Sequence, residues 1–233
     1  MATAILLAAG SGERFSGETS KQMAPLAGST VLEHSLNAFE TNQGIQRIVV
    51  VTSRSLLSDV KQLVDQKYMK VNQIIQGGAT RSGSSAAALN TIVGEPYEKV
   101  LIHDAARPLV SQSIINSCIT ALDHSEAVVT ALPSTDTILE IEEGNVISIP
   151  KRENLWCAQT PQGFKLGAIK NAYELLDRGT DEDKFSPTDD CSVLLRFSPE
   201  SRLAVVNGSE RNIKITYPVD LSLAERLIHL NNL

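Results

Sequence analysis

The stretch Ala4-Ile5-Leu6-Leu7-Ala8-Ala9-Gly10-Ser11-Gly12-Glu13-Arg14-Phe15, followed closely by Ser20-Lys21-Gln22, organises the interpretation of the chain. Its apolar run does not alternate with polar residues, which is typical of a strand buried on both faces of a parallel sheet. Gly10 and Gly12 allow a tight turn and a close approach of the backbone to a ligand. Backbone N–H groups in such a loop attract anions, and Arg14 and Lys21 would add positive charge. The stretch favours nucleotide-phosphate binding about as strongly as an ordinary loop with two solvated cations.

Two familiar nucleotide-binding motifs do not fit this loop. The chain has no G-x-x-x-x-G-K-[ST] sequence, which excludes a Walker-type P-loop. A Rossmann fingerprint requires glycine where Phe15 stands. Glu33 has the spacing of the acidic ribose contact of that fingerprint, but it falls in a predicted helix. The loop therefore belongs to neither class.

Length, charge and cysteine content limit the classes of function. A chain of 233 residues suits one α/β domain with a sizeable core. The net charge of -6 and the pI of about 5.3 argue against nucleic-acid or membrane-surface partners. Three widely spaced cysteines without a C-x-x-C motif favour free, buried thiols in a reducing compartment. No apolar segment has the length of a membrane helix, and the first predicted strand begins almost at Met1, so we expect a cytoplasmic protein without a signal peptide.

Apolar strands alternate with helical patterns along most of the chain, which predicts an α/β fold with a mostly parallel, layered sheet. The helix near residue 30 has a capping-box pattern, Thr30 with Glu33. Thr188-Asp189-Asp190 can cap a second, shorter helix. After the first strand, further strands are predicted at 47–52, 71–75, 99–103, 127–132, 203–206 and 213–216, and helices at 55–67, 80–89, 114–122, 165–176, 190–197 and 218–230.

Residues 134–152 have a different pattern. Two short alternating segments, 137–141 and 146–149, flank Glu142-Glu143-Gly144-Asn145, which predicts a β-hairpin. A lone hairpin has too little core to be stable, so it requires a partner surface. That surface belongs either to another subunit or to the hairpin's own domain, and the residues leave both possibilities open.

Three polar loops follow predicted strands, namely Gly10–Lys21, Gly77–Ser84 and Asp104–Arg107. Ligands of open α/β sheets bind beyond the carboxyl ends of the strands, so the three loops can line one crevice. We expect the cations of these loops to surround a common space there. Each cation alone is more often a surface or structural residue, but their coincidence favours a site for a phosphorylated ligand. The cations are Arg14, Lys21, Arg81 and Arg107.

Other catalytic chemistries find little support. His103 and Asp104 have no second histidine or carboxylate at metal-ligand spacing, so we interpret His103 as structural. Asp104 is the better functional candidate, because a carboxylate at a strand end can orient a sugar hydroxyl or Mg²⁺. A G-x-S-x-G nucleophile elbow is absent. Cys157 follows Trp156 in an apolar run, which favours packing over nucleophilic catalysis.

A set of motifs in fixed order resembles the 2-C-methyl-D-erythritol 4-phosphate cytidylyltransferase family of the non-mevalonate isoprenoid pathway. The resemblance extends from about residue 3 to residue 230. It implies a three-layer, Rossmann-like nucleotidyltransferase fold with a mostly parallel central sheet and a protruding β-hairpin arm. It also implies one domain over residues 1–233, with an arm at 134–152 inserted for dimerisation. The motifs are Leu7 to Arg14 with Lys21-Gln22, His103 to Pro108, Gln159-Thr160-Pro161-Gln162, Thr188-Asp189 and Asn212 to Thr216.

The resemblance also implies the substrates and the site. The substrates are CTP, carried with Mg²⁺ on its phosphates, and a small sugar-alcohol phosphate. The protein itself supplies no dedicated metal site, and the enzyme is a homodimer in which each arm completes the neighbour's site. The implied catalytic residues are Arg14, Lys21, Arg152 and Lys214. Nucleotide contacts are implied for Ala8, Ala9, Gly10, Ser11, Gly12, Gly77, Ser84, Asp104 and Ala105, with Thr80 and Arg81 beside them by position only. Acceptor contacts are implied for Asp104, Arg107, Thr137, Arg152, Thr188 and Lys214.

Two alternatives remain at this stage. A ribitol-5-phosphate cytidylyltransferase has the same fold and chemistry, although Ala106 and the Cys157-Ala158-Gln159-Thr160 run are more similar to the methylerythritol enzyme. A catalytically inactive nucleotide-binding homologue is disfavoured by the joint presence of Arg14, Lys21, Arg152 and Lys214. The charged segment 177–187 is longer than the family pattern requires, which leaves the position of Thr188 open.

Overall fold

The computed structural model describes residues 1–10, 12, 15, 20–65, 67–179 and 185–230. Its strands are β1 Ala2–Ala8, β2 Pro25–Leu26, β3 Ser29–Thr30, β4 Ile45–Thr52, β5 Val71–Gln76, β6 Lys99–Asp104, β7 Ala127–Pro133, β8 Glu140–Glu142, β9 Asn145–Ser148, β10 Trp156–Lys165 and β11 Leu203–Asn207. Its α-helices are α1 Val31–Glu40, α2 Leu57–Val64, α3 Arg81–Thr91, α4 Gln112–Ala121, α5 Leu166–Arg178, α6 Asp190–Phe197 and α7 Pro218–Leu230.

A seven-stranded sheet forms the centre of the molecule, in the order β11-β7-β10-β6-β1-β4-β5. Pairs β1/β4, β1/β6, β4/β5 and β7/β11 are parallel, whereas β10 is antiparallel to both β6 and β7. The predicted mostly parallel α/β sheet is therefore confirmed. Because β1 is an interior strand between β6 and β4, the glycine loop that follows it lies between neighbouring strand ends and not at the side of the sheet.

Alternate side chains of β1 enter two separate cores, which explains its uninterrupted apolar sequence. Ala4 and Leu6 belong to a core formed with α1, α2 and α4. Ile5 and Leu7 belong to the core on the opposite face, formed with α3, α5 and α6. The molecule is accordingly a three-layer structure, with helices on both faces of the sheet.

Two helix starts follow their predicted capping residues. Thr30 accepts a hydrogen bond from the backbone of Glu33, and the Glu33 carboxylate accepts one from the backbone of Thr30. Asp189 caps α6 in the same reciprocal way with Ser192. Glu33 is thus a helix-capping residue and does not lie at a strand end. Among the described residues, none of the helices has the length and apolar character needed to cross a membrane.

The strand predicted at 213–216 is wrong, because this segment joins no sheet. In the described chain, a backbone hydrogen bond from Ile215 N to Ala106 O, at 2.8 Å, joins this segment to the loop after β6. The Ile215 side chain is fully buried with Leu26 and Ala224 in a small third core beneath α7. Its apolar pattern therefore reflects burial against a helix, which places the neighbouring Lys214 over the end of the sheet.

The predicted hairpin is present, with β8 shorter than expected and β9 shifted by one residue. These strands pair with each other in a separate two-stranded sheet. Large apolar side chains of the hairpin are exposed in the single chain, including Ile141 at 60%, Val146 at 54% and Ile149 at 62%. The hairpin thus lacks a covering surface within the described part of the chain.

Candidate active site

A cleft of about 540 Å³ lies at the carboxyl ends of β1 and β6 and at the start of α3. It is the position at which an open α/β sheet binds its ligands. The predicted loops meet there, and the segment before α7 completes one wall. The lining residues are Leu7, Ala9, Gly10, Gly12, Lys21, Gln22, Gly78, Ala79, Thr80, Arg81, Ser84, Asp104, Ala106, Lys214 and Thr216.

The first wall is the glycine loop after β1. Gly12 has φ +67°, a conformation that favours glycine, whereas a Cβ on Gly10 would meet nothing nearer than Gln22 Nε2 at 3.8 Å. Gly10 therefore leaves open space beside the cleft. Gln22 is almost fully buried and donates through Nε2 to Gly10 O at 3.1 Å, so it fixes the strand-loop junction. Ser11 and Arg14 lie outside the described residues.

The second wall begins after β5 and continues into α3. Thr80 caps α3 by accepting from Gly83 N, and Ser84 Oγ donates to Thr80 O at 3.0 Å. Gly77 lies behind this wall, because a Cβ there would approach Ala9 Cβ and Ser84 Oγ to 2.6 Å. Glycine at position 77 therefore lets the first two walls come together.

Asp104 lies at the centre of the cleft and contacts two cations. Arg81 Nε donates to its Oδ1 at 3.0 Å, and Lys214 Nζ donates to its Oδ2 at 2.7 Å. Burial by itself raises the pKa of Asp104, but the charges of Arg81 and Lys214 outweigh burial and hold the pKa well below its usual value. The group is therefore a carboxylate at neutral pH, and it orients both cations toward the cleft.

A buried hydrogen-bond chain fixes the backbone of Asp104. Asp104 N donates to Thr160 Oγ1 at 3.0 Å, and Thr160 Oγ1 lies 3.1 Å from His103 Nδ1. His103 Nε2 lies 3.1 Å from Arg107 O and must donate to that carbonyl, which assigns Nδ1 as the acceptor. Burial lowers the pKa of His103 to about 4, so its ring is neutral at pH 7. The interpretation of His103 as structural is confirmed.

Arg107 does not enter the cleft, contrary to its predicted place among the surrounding cations. Its Nη1 donates to Asn212 O at 2.7 Å, which ties the loop after β6 to the segment that carries Lys214. Burial lowers the pKa of Arg107, although the charge of Asp104 opposes this effect. In the described chain, Ala8, Gly77 and Ala105 also lie behind the lining and not in it.

Three predicted acceptor residues are separate from the cleft of their own chain as far as it is described. Thr137 is exposed in the hairpin, and Thr188 is exposed just before the cap of α6. Arg152 lines a second, open pocket at the base of the hairpin with Ser134 and Trp156. The structure therefore brings together Ala9, Gly10, Gly12, Lys21, Ser84, Asp104 and Lys214, but not these three.

Several lining residues were not identified as site residues from the sequence. Gly78, Ala79 and Ala106 lie in loops that were predicted to line the crevice. Their side chains carry no functional group, so the sequence offered no reason to name them individually. Thr216 follows Lys214 in a segment that was predicted as a strand. Gln22 stands in the quoted stretch after Lys21, but its role depends on a contact with Gly10 twelve residues earlier.

The described part of the cleft combines three cationic side chains, Lys21, Arg81 and Lys214, with one carboxylate. Such a site can neutralise a polyphosphate and hold it in a fixed orientation. Among the described residues, no three His, Cys, Asp or Glu side chains come together as a metal-binding group. No described group of the cleft combines a nucleophile with an adjacent base, so the arrangement suits electrostatic positioning.

Comparisons with known proteins agree with this chemistry. A family model described as 2-C-methyl-D-erythritol 4-phosphate cytidylyltransferase matches residues 2–229. A protein of that name from Thermobifida fusca is 41% identical over 232 residues, which cover 97% of this chain and 92% of the relative. A bifunctional ribulose 5-phosphate reductase/CDP-ribitol pyrophosphorylase from Haemophilus influenzae is 42% identical over 227 residues, which cover 96% of this chain. The match spans about half, 47%, of that bifunctional relative.

Solved structures are similar over the whole described fold. A 4-diphosphocytidyl-2C-methyl-D-erythritol synthase from Anaerococcus prevotii has a TM-score of 0.84 at 28% identity, covering 97% of this chain and 95% of that one. A 2-C-methyl-D-erythritol 4-phosphate cytidylyltransferase from Thermus thermophilus has a TM-score of 0.77 at 28% identity, covering 98% and 100%.

Proposed function

The chain belongs to the 2-C-methyl-D-erythritol 4-phosphate cytidylyltransferase family, and we propose from this premise that it transfers CMP from CTP to 2-C-methyl-D-erythritol 4-phosphate. The products are 4-diphosphocytidyl-2-C-methyl-D-erythritol and pyrophosphate. The observation that carries the proposal is the cleft in which Arg81 and Lys214 converge on Asp104 beside Lys21. Its charge and its place at the carboxyl ends of the strands suit a nucleoside triphosphate.

The proposed reaction needs no general base. A phosphate monoester has a second pKa near 6, so its oxygen is largely an anion at pH 7. That oxygen attacks the α-phosphorus of CTP in line, a new P–O bond forms, and the bond to the departing pyrophosphate breaks. The protein then has to position the two substrates and neutralise the charge on the phosphates. The cations of the cleft support this assignment.

The residues divide between the two substrates. We assign Ala8 to Gly12, Gly77, Ser84, Asp104 and Ala105 to CTP, with Arg14 and Lys21 on its phosphates. Ala8, Gly77 and Ala105 act by shaping the cleft, since they lie behind its lining. Asp104 and Lys214 also face the acceptor, and we assign Arg107 and Thr188 to the acceptor side from positions outside the described lining. Arg107 supports the acceptor side through its bond to Asn212 O.

Mg²⁺ fits this site as a companion of CTP. The ion is commonly bound by one or two carboxylates together with substrate phosphates, and Asp104 supplies one carboxylate that is charged at neutral pH. When bound, Mg²⁺ would neutralise charge on the triphosphate. Asp104 already holds Arg81 and Lys214 in place, so the same carboxylate would orient cations and metal together.

The acceptor is tested by a paired assay. Ribitol 5-phosphate is the alternative acceptor, because the chain is 42% identical to the bifunctional CDP-ribitol pyrophosphorylase. Purified protein is given CTP and Mg²⁺ with each sugar phosphate separately, and pyrophosphate release is measured. We expect kcat/KM to be higher for 2-C-methyl-D-erythritol 4-phosphate. Faster turnover of ribitol 5-phosphate would reject this acceptor, and no release with either would reject cytidylyl transfer.

We propose further that the chain is one domain over residues 1–233 and that the hairpin at 134–152 reaches onto a second copy. The exposed Ile141, Val146 and Ile149 support an apolar partner surface. Thr137 and Arg152, which lie away from the cleft of their own chain, would then complete the site of the neighbour. We also propose a cytoplasmic location, because Cys118, Cys157 and Cys191 are free thiols. Cys118 and Cys191 are buried as expected, whereas Cys157 is exposed, so its expected packing role was wrong.

Complementation between inactive variants tests the shared site. In a dimer of Arg152→Ala with Lys21→Ala, one of the two sites contains neither change. Random mixing makes half of the dimers mixed, so we expect about one quarter of the wild-type activity to return. The control mixes Arg152→Ala with the Lys21→Ala/Arg152→Ala double variant, in which every site is altered. Absence of recovery, despite demonstrated subunit exchange, would count against the shared site.

A further inference from the structure

A second carboxylate, Asp190, lies beneath the cleft without lining it. It is the first residue of α6 and is fully buried. Its Oδ2 lies 2.8 Å from Arg81 Nη1, and its Oδ1 accepts a hydrogen bond from the Tyr173 hydroxyl at 2.7 Å. A buried carboxylate is strongly unfavourable unless an opposite charge accompanies it. Arg81 supplies that charge.

Arg81 therefore lies between two carboxylates, Asp104 in the cleft and Asp190 behind it. Burial by itself lowers the pKa of Arg81, but the charges of Asp190 and Asp104 raise it above its ordinary value, so the guanidinium stays charged. Arg81 Nη1 and Asp190 Oδ2 form an ion pair at 2.8 Å. Because Asp190 is fully buried and both groups are charged, this contact holds the inner end of Arg81.

Asp190 is itself anchored to the central sheet. Gln162 of β10 accepts through Oε1 from the backbone N–H groups of Asp190 and Cys191, at 3.1 and 3.2 Å. The same side chain donates through Nε2 to Asp189 Oδ2 at 2.6 Å. The carboxylate of Asp190 is thus fixed relative to the strand that adjoins β6. Contacts run continuously from Gln162 through Asp190 and Arg81 to Asp104.

We propose that Asp190 is a positioning residue for cytidylyl transfer, which fixes Arg81 and, through Arg81, the orientation of the Asp104 carboxylate toward the bound nucleotide. The inference rests on the proposed function, in which Asp104 faces CTP and Mg²⁺. A purely structural role would differ, because Asp190 would then only join α6 to α5 through Tyr173. The two roles use different oxygens of the same carboxylate, so variants can separate them.

Asp190→Asn removes the charge that faces Arg81 and keeps nearly the same shape. We measure the Kd of Mg²⁺–CTP by calorimetry without an acceptor, together with kcat/KM. A misplacement of about 1 Å in a site can cost about 100-fold, and we expect CTP binding to weaken by about 10- to 100-fold. The matched control is Tyr173→Phe, which removes the bond to the other oxygen. We expect a lower Tm in the control and a Kd within about twofold of wild type.

A double variant tests the route through Arg81. If Asp190 acts only through that side chain, Arg81→Gln and Arg81→Gln/Asp190→Asn bind CTP with the same Kd. A further tenfold loss in the double variant overturns the inference, as does a wild-type Kd in folded Asp190→Asn. Should Asp190→Asn not fold, Asp190→Glu keeps the charge but displaces it, and an unchanged Kd there also overturns the inference. The CTP-binding assay tests the role of Asp190 separately from the proposed function. If the protein binds CTP but turns over neither acceptor, only the proposed transfer is rejected.

Discussion

Gly77→Ala tests whether the first two walls of the cleft must meet as closely as they do. A Cβ at this position would lie 2.6 Å from both Ala9 Cβ and Ser84 Oγ, and 3.1 Å from Val51 Cγ1. Ordinary contacts begin at 3.4 Å, so Ala9 must retreat by 3.4 minus 2.6, which is 0.8 Å. Ser84 Oγ is held by its bond to Thr80 O, which limits its freedom to rotate away.

This displacement moves the base of the glycine loop. Overpacking of this kind costs about 1–3 kcal/mol of stability. A shift of nearly 1 Å in a positioned site is expected to lower kcat/KM for CTP by about 10- to 100-fold, which is about 1.4–2.7 kcal/mol of transition-state stabilisation. Steady-state pyrophosphate release at varied CTP measures the kinetic loss, and urea unfolding measures the stability.

Gly44→Ala is the matched control. A Cβ there would lie 2.7 Å from Ile119 Cδ1 and 3.1 Å from Asn42 Oδ1, so it also overlaps a neighbour, but the δ-methyl of Ile119 can move aside more easily than the Cβ of Ala9. Gly44 stands before β4, at the opposite end of the sheet from the cleft. We expect a loss of stability no larger than that of Gly77→Ala, and a kcat/KM within about twofold of wild type. A folded Gly77→Ala protein with wild-type kcat/KM would refute the reasoning.

Two further predictions concern charge. His103 has a folded pKa of about 4, below its usual 6.5, so the unfolded chain binds the proton first and stability falls as pH drops from 6.5 to 4. The difference between these two pKa values corresponds to about 3 kcal/mol. We expect urea unfolding of His103→Gln to show a smaller loss of stability than wild type between pH 6.5 and 4, and an equal loss would reject the assignment. Lys214→Met removes a charged hydrogen-bond donor from Asp104 and from the proposed acceptor phosphate. We expect kcat/KM for the acceptor to fall by about 10- to 150-fold, which corresponds to about 1.5–3 kcal/mol of transition-state stabilisation. The Kd of CTP should change less, and an unaltered acceptor KM would contradict the role of Lys214.

The sheet could be predicted because its signals are local. The uninterrupted apolar run of β1 reflects its two cores, and the pairing of Thr30 with Glu33 marks the start of α1. The segment that contains Ile215 was predicted wrongly, since the same apolar pattern serves burial under α7. Periodicity reports that a side chain is buried but does not report what covers it.

The site was only partly predictable, because its contacts join distant parts of the chain. Strand ends with glycine and cations indicated Gly10, Lys21 and Asp104 correctly as neighbours of one cleft. The partners of Asp104 stand 23 and 110 residues away, at Arg81 and Lys214, and no local pattern specifies such pairs. For Lys214 the signal was the family resemblance. Arg107 carried the same signal as the other cations, but its guanidinium bonds to Asn212 O and Ala158 O.

The stereochemistry at the α-phosphorus tests the central claim most directly. One diastereomer of CTP carrying sulfur on the α-phosphate is supplied with Mg²⁺ and 2-C-methyl-D-erythritol 4-phosphate, and the configuration of the product is determined. Direct in-line attack in a cleft that positions substrates by charge predicts formation of the cytidylyl product with inversion at phosphorus. Retention would require a covalent enzyme intermediate and would contradict the account, as would the absence of this product under conditions in which CTP itself is bound.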